Sequence, residues 1–113
     1  NAAIPTGAEV FDGSGLFVYP GLIDAGTTIG LDEVSSVEVT QDMAEVGNVN
    51  PHVQALTAVN PNSVLIPVTR VSGVTTCLVL PQSGLFSGTG SLINLHGYTP
   101  EQMYAGFKGV VLN

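Results

Sequence analysis

With 113 residues, 44% of them in the hydrophobic set, the chain is long enough to bury one modest core and too short for two domains. Its formal charge is −7, and Arg70 and Lys108 are its two basic residues. That balance excludes a surface that tracks nucleic-acid phosphates, opposes an anionic membrane at low salt, and reads as a solubility feature.

In chain order, Ala8-Glu-Val-Phe-Asp-Gly-Ser-Gly15 alternates partly in polarity and ends in turn residues, which predicts a strand and a tight turn. A second strand is expected from Leu16 to Tyr19. Pro20-Gly21 breaks it, and Leu22 to Ala25 forms a short apolar run of the kind found in strands buried on both faces. From Gly30 to Asn50 the sequence is polar and acidic without a sustained period, and is expected to be an extended loop. Pro51 can open a helix in which Val53, Leu56 and Val59 recur at helical spacing up to the Asn60-Pro61-Asn62 break.

Ser63 to Val71 predicts a second helix, capped by Asn62 or Ser63 and ended by Gly73, with Pro67 pulling its start a few residues later. Val74 to Leu80 is the strongest strand signal, rich in β-branched residues and stopped by Pro81. The stretch from Gln82 to Gly90 reads as a glycine-spaced loop, and Ser91 to Leu95 as a short strand. Thr99-Pro100-Glu101-Gln102 carries a cap, a first-turn proline and a capping-box glutamine, so a helix should start there. This succession predicts an α/β architecture with a parallel component.

The chemistry-bearing residues are sparse. Cys77 is the single cysteine, which excludes an internal disulfide and a multi-thiolate zinc site, and its apolar, strand-like context predicts a buried side chain. His52 and His96 fall on different predicted elements with no second ligand at metal spacing; His96, following a predicted strand, is the better candidate of the two. Asp32, Glu33, Glu38, Asp42 and Glu45 lack the alternation of a calcium loop and read as a solvated face. Gly84, Gly88 and Gly90 lack the signature of a phosphate loop and predict a tight connection between strands. No Gly-x-Ser-x-Gly elbow supports triad chemistry. No apolar run approaches the ~20 residues of a membrane helix, so the piece reads as soluble. The Asn-Ala-Ala start, without Met, reads as an excised or processed segment whose compartment is unknown.

The run from Ile4 to Ala25, with Phe11-Asp-Gly-Ser-Gly15 and Pro20-Gly-Leu-Ile-Asp24 inside it, resembles the amidohydrolase superfamily, especially its imidazolonepropionase-like members. The resemblance runs over residues 4 to 30, and Ile66 to Cys77 and Pro81 to Gly97 look like the next barrel units. It implies that residues 1–20 end a small β-sandwich subdomain and residues 21–113 hold the first βα units of a (β/α)8 barrel, left incomplete. Family members carry a His-x-His pair directly after Ile-Asp-Ala, whose imidazoles bind one or two divalent metals that activate water. Here the two positions are Gly26 and Thr28, and neither side chain replaces an imidazole. Asp24 matches the family aspartate before the pair, but as a lone strand-end carboxylate it is expected to bond nearby amides.

The resemblance therefore implies a catalytically inactive piece with no catalytic residues, cofactor or metal of its own. Its parent would be a metal-dependent hydrolase of non-peptide C–N bonds, using a divalent metal such as zinc, or else a non-catalytic binding or scaffold protein on a degenerate amidohydrolase fold. Open sheet edges would favour self-association.

Overall fold

The computed structural model describes residues 2–113; Asn1, the first residue of the expected sandwich segment, lies outside them. Four strands form one mixed sheet in the order β1 (Leu22–Thr27), β2 (Val74–Val79), β3 (Phe86–Asn94) and β4 (Tyr104–Leu112). β1 and β2 are parallel, with Asp24 opposite Cys77 and Thr27 opposite Val79, whereas β2–β3 and β3–β4 are antiparallel. Connection length explains the split. Between β1 and β2 lie the long acidic loop and two helices, α1 (Ala55–Ala58) and α2 (Leu65–Val71), enough chain for a parallel crossover. Between β2 and β3 lie residues 80–85, too few for a crossover and suited to a direct reversal.

Pro81 to Gly97, expected to contribute further barrel units, accordingly folds back as an antiparallel strand. That strand begins at Phe86, so the glycine run from 84 to 90 is mostly strand and not loop. The glycines serve a close backbone approach: Gly88 sits at φ +139°, and a Cβ there would lie 2.9 Å from the Val53 carbonyl oxygen. The Thr89 amide donates to that same oxygen at 2.7 Å. The bond draws Val53 into an extended contact with β3, which is why the helix expected from Pro51 shrinks to the single turn α1.

α2 begins at Leu65, whose amide donates to the Ser63 hydroxyl at 3.3 Å, and closes at Gly73, at φ +93° with its amide on the Arg70 carbonyl at 3.0 Å. Thr99 caps α3 (Pro100–Met103) by accepting from the Gln102 amide, and the Gln102 side chain accepts from the Tyr98 amide at 2.9 Å. The capping chemistry holds but the helix is one turn long, because Tyr104 already joins the ladder of β3. The core lies against β2 and β3, where Cys77, Val79 and Ile93 are fully buried with Leu31, Leu56, Ile66, Leu95 and Met103.

Residues 2–21 form no regular strand, contrary to the two strands expected between Ala8 and Tyr19. Their backbone bonds are local, Ala8 to Pro5 and Leu16 to Gly13, and their apolar side chains are exposed. A strand requires a neighbouring ladder for its N–H and C=O groups, and among the described residues none is offered there.

Candidate functional site

The position singled out by the sequence is the C-terminal end of β1. Asp24 lies within β1 rather than at its end, and its Oδ1 accepts from the Gly26 amide two residues ahead at 3.1 Å, a local side-chain-to-amide bond. Its neighbour across the ladder is Cys77, whose thiol is pushed up to about 11, first by burial and then by the Asp24 carboxylate, with an opposing hydrogen bond to the Asp24 backbone. The side chain is buried in the hydrophobic core, the surroundings of a packing cysteine.

Beyond Asp24 the strand runs through Gly26 to Thr27, and Thr28 follows it. The Thr28 carbonyl accepts from the Leu31 amide at 2.8 Å and the Asp32 amide at 3.3 Å, forming the turn that swings the chain away from the sheet. A Cβ built on Gly26 would meet Leu80 Cδ1 at 3.3 Å, a contact that the leucine side chain relieves by giving a few tenths of an ångström. Glycine offers no donor atom and a threonine hydroxyl is a weak ligand for a transition metal. Among the described residues no group of three or more His, Cys, Asp and Glu side chains converges in a manner that could hold a metal.

A pocket of about 400 Å³ does open beside this end, lined by Thr27, Thr28, Asp32, Glu33, Leu65 and Thr69 among others. Its carboxylates were read from sequence as part of a solvated face. Glu33 is instead a tie: its Oε1 accepts from Asn60 Nδ2 at 3.2 Å and its Oε2 from the Ser63 hydroxyl at 2.9 Å. Together with the Asn60 amide on the Gly30 carbonyl at 2.9 Å, this fastens the loop after β1 to the start of α2. Asp32 Oδ1 is buried without a hydrogen-bond partner. The only sequence signal for the tie is the Asn60-Pro-Asn-Ser63 turn, which places two side-chain donors just ahead of α2.

His96 lies elsewhere. Because β3 runs antiparallel to β2, with Asn94 opposite Thr76 and the Leu95 amide on the Thr75 carbonyl, the segment after β3 reaches the end of the sheet where β2 begins. Gly26 and Thr28 lie at the end where β2 finishes. The two weak candidates, Asp24 and His96, are thus not brought together, and the expectation that His96 sits at the strand end where barrel sites collect is corrected by strand direction. His52 is exposed on the turn before α1, remote in sequence and element from both.

No protein-family model and no curated protein matches the chain. Among solved structures, the crystal structure of an amidohydrolase from Thermotoga maritima MSB8 is similar, with a TM-score of 0.82 and 32% sequence identity over 92% of this chain. The match spans 28% of the length of that protein. The four-stranded α/β arrangement described above is therefore an amidohydrolase-like fold, over a span equal to a little more than a quarter of the Thermotoga chain.

Proposed function

We propose that this chain is part of a larger amidohydrolase-like protein and has no hydrolytic activity by itself. Residues 1–20 would end a small β-sandwich and residues 21–113 would open a (β/α)8 barrel, close to the imidazolonepropionase-like branch. The observation that carries this reading is the parallel β1–β2 unit, with Gly26 near the end of its first strand and Thr28 just past it, the two positions where the resemblance implies imidazole ligands. The parent is then a metal-dependent hydrolase of non-peptide C–N bonds whose divalent ion, such as zinc, is held by groups outside this chain.

Metal analysis of the intact protein and of residues 1–113, paired with turnover of a cyclic imide, tests this reading. The expected result is metal and activity in the intact protein and neither in residues 1–113. One tightly bound zinc, iron or manganese ion per 113-residue chain would overturn it.

A second reading is favoured by the end of β1 itself: position 26 carries no donor atom, and Asp24 is engaged with the Gly26 amide. That arrangement suits a degenerate, non-catalytic binding or scaffold protein. An intact protein that is folded, metal-free and inert toward amides would select it. On either reading β1 and β4 are the outer strands of the sheet, and we expect the isolated chain to self-associate through them. Sedimentation showing a monodisperse monomer at micromolar concentration would count against that.

A further inference from the structure

Nine acidic residues share this chain with two basic ones, so a carboxylate is the readiest partner for either cation. Among the described residues neither takes one: Lys108 Nζ donates to Gln54 Oε1 at 3.0 Å, and Arg70 turns to a backbone carbonyl. Its Nη1 donates to the Leu95 carbonyl oxygen at 3.0 Å, and its side chain borders a groove of about 400 Å³ that no Asp or Glu lines. The groove lies between α2 with the turn before it and the segment after β3, and neither Gly26 nor Thr28 lines it. From that segment come His96 and Tyr98, both exposed, while Pro61, Ile66, Pro67 and Leu95 supply apolar surface.

A guanidinium carries five N–H donors in a rigid fork. One bond to Leu95 holds the side chain in place, so little further freedom is lost when the remaining donors take a ligand. Those donors match the two oxygens of a carboxylate, and the same groove is lined by the Tyr98 hydroxyl and the His96 imidazole, each of which can donate a hydrogen bond. The volume falls within the range of roughly 300–1,000 Å³ typical of small-molecule sites. A single positive charge within a chain of net charge −7 suits a monoanion better than a phosphate dianion, and the apolar lining suits an organic body.

We propose that the groove formed by Arg70, His96 and Tyr98 binds a small organic carboxylate, with Arg70 as its charge partner. The site is independent of the amidohydrolase reading and stands or falls separately from it.

Titration of the isotope-labelled chain with benzoate, benzamide and inorganic phosphate, followed by amide NMR, tests the proposal. Benzoate should give saturable shifts at His96, Gly97 and Tyr98 at concentrations up to about 50 mM, where a Kd of millimolar order saturates. Benzamide, which keeps the body and loses the charge, should bind at least about 10-fold more weakly, the loss expected for a charge-assisted hydrogen bond. Phosphate should bind more weakly than benzoate. Arg70→Gln should erase the preference for benzoate over benzamide. Because Arg70 also holds the Leu95 carbonyl, the exposed variants His96→Gln and Tyr98→Ala provide a check free of that tie, and each should weaken benzoate binding a few-fold with the remaining spectrum unchanged. The proposal is overturned by any of four results: no saturation, equal affinity for benzoate and benzamide, tighter binding of phosphate, or benzoate affinity unchanged in both exposed variants.

Discussion

Leu16 to Tyr19 and Leu22 to Thr27 stand a few residues apart, are both apolar at their start, and are both largely exposed: Phe17 is 84% and Ile23 67% accessible. Only the second is a strand. Its backbone finds a parallel partner in Val74–Val79, and the Leu22 amide begins the junction by donating to the Gly73 carbonyl at 2.9 Å. Leu16–Tyr19 has no such ladder among the described residues. What separates the two is thus hydrogen-bond partnership and not burial, because apolar and β-branched composition makes a segment competent to pair while a neighbouring strand decides whether it does.

The largest effect should come from removing what holds the partner in place. Ile93 is fully buried on β3 opposite Cys77, so Ile93→Ala should cost about 2–5 kcal/mol through lost burial and the cavity left behind. Urea unfolding reads this directly; a cost below about 1 kcal/mol would mean that the sheet does not rest on this core. A narrower blow falls on the junction itself. A Cβ on Gly21 would stand 2.0 Å from Thr75 Oγ1 and 2.7 Å from Thr75 Cβ, closer than rotation of the threonine alone can relieve. Gly21→Ala should therefore cost about 1–3 kcal/mol and strip hydrogen-exchange protection from Leu22–Thr27 while sparing β3 and β4. Unchanged protection in β1 would break the claim that its pairing with β2 defines it.

Next in size is a pH effect on that same ladder. The Cys77 thiol has its pKa raised from 9.0 to about 11, chiefly by burial. The folded protein thus holds this proton more tightly than the unfolded chain does. Its contribution to stability is fully present below pH 9 and should be lost as pH rises toward 11. Unfolding of wild type and Cys77→Ala across that interval isolates the effect: the wild type should lose stability faster, and parallel curves would remove the thiol from the account.

Much of this was legible in the sequence, and the part that was not has a common cause. Signals that act within a few residues held. Asp12 accepts from both the Ser14 amide and hydroxyl, at 3.0 and 2.6 Å, so the Asp-Gly-Ser-Gly turn forms and its carboxyl sits below the usual value. The α2 stop at Gly73, the Thr99 cap and the burial of Cys77 belong to the same class. What failed depended on distant chain. β4 was not foreseen because Gly106 and Gly109 interrupt its alternation, yet pairing with β3 makes it a strand. β3 was cut short because Ser87-Gly-Thr-Gly90 has weak strand propensity, which the approach of Val53 overrides. The end of the sheet reached by His96 followed from the direction of β3, a consequence of the six-residue link 80–85 that is visible only once the limits of both strands are known.

The smallest expected effect is the most discriminating for the comparison. Phe17 is an exposed apolar side chain of the N-terminal segment, with Tyr19 as its ring neighbour at a centroid separation of 6.4 Å. If Leu16–Tyr19 is unpaired within a single chain, Phe17→Ser removes only that tilted ring contact, and its effect on unfolding should stay within about 0.5 kcal/mol. Self-association would change the answer in a recognisable way. Were these residues to add to the edge of a second copy, the substitution would lower stability at high protein concentration and leave it unchanged at low concentration, because stability gained by association scales with concentration. Running Phe17→Ser and wild type at two concentrations about 100-fold apart therefore distinguishes a segment without a ladder from one whose ladder belongs to a neighbouring molecule. A loss above about 1 kcal/mol at both concentrations would show that Phe17 is held by its own chain, and would undo the contrast with β1.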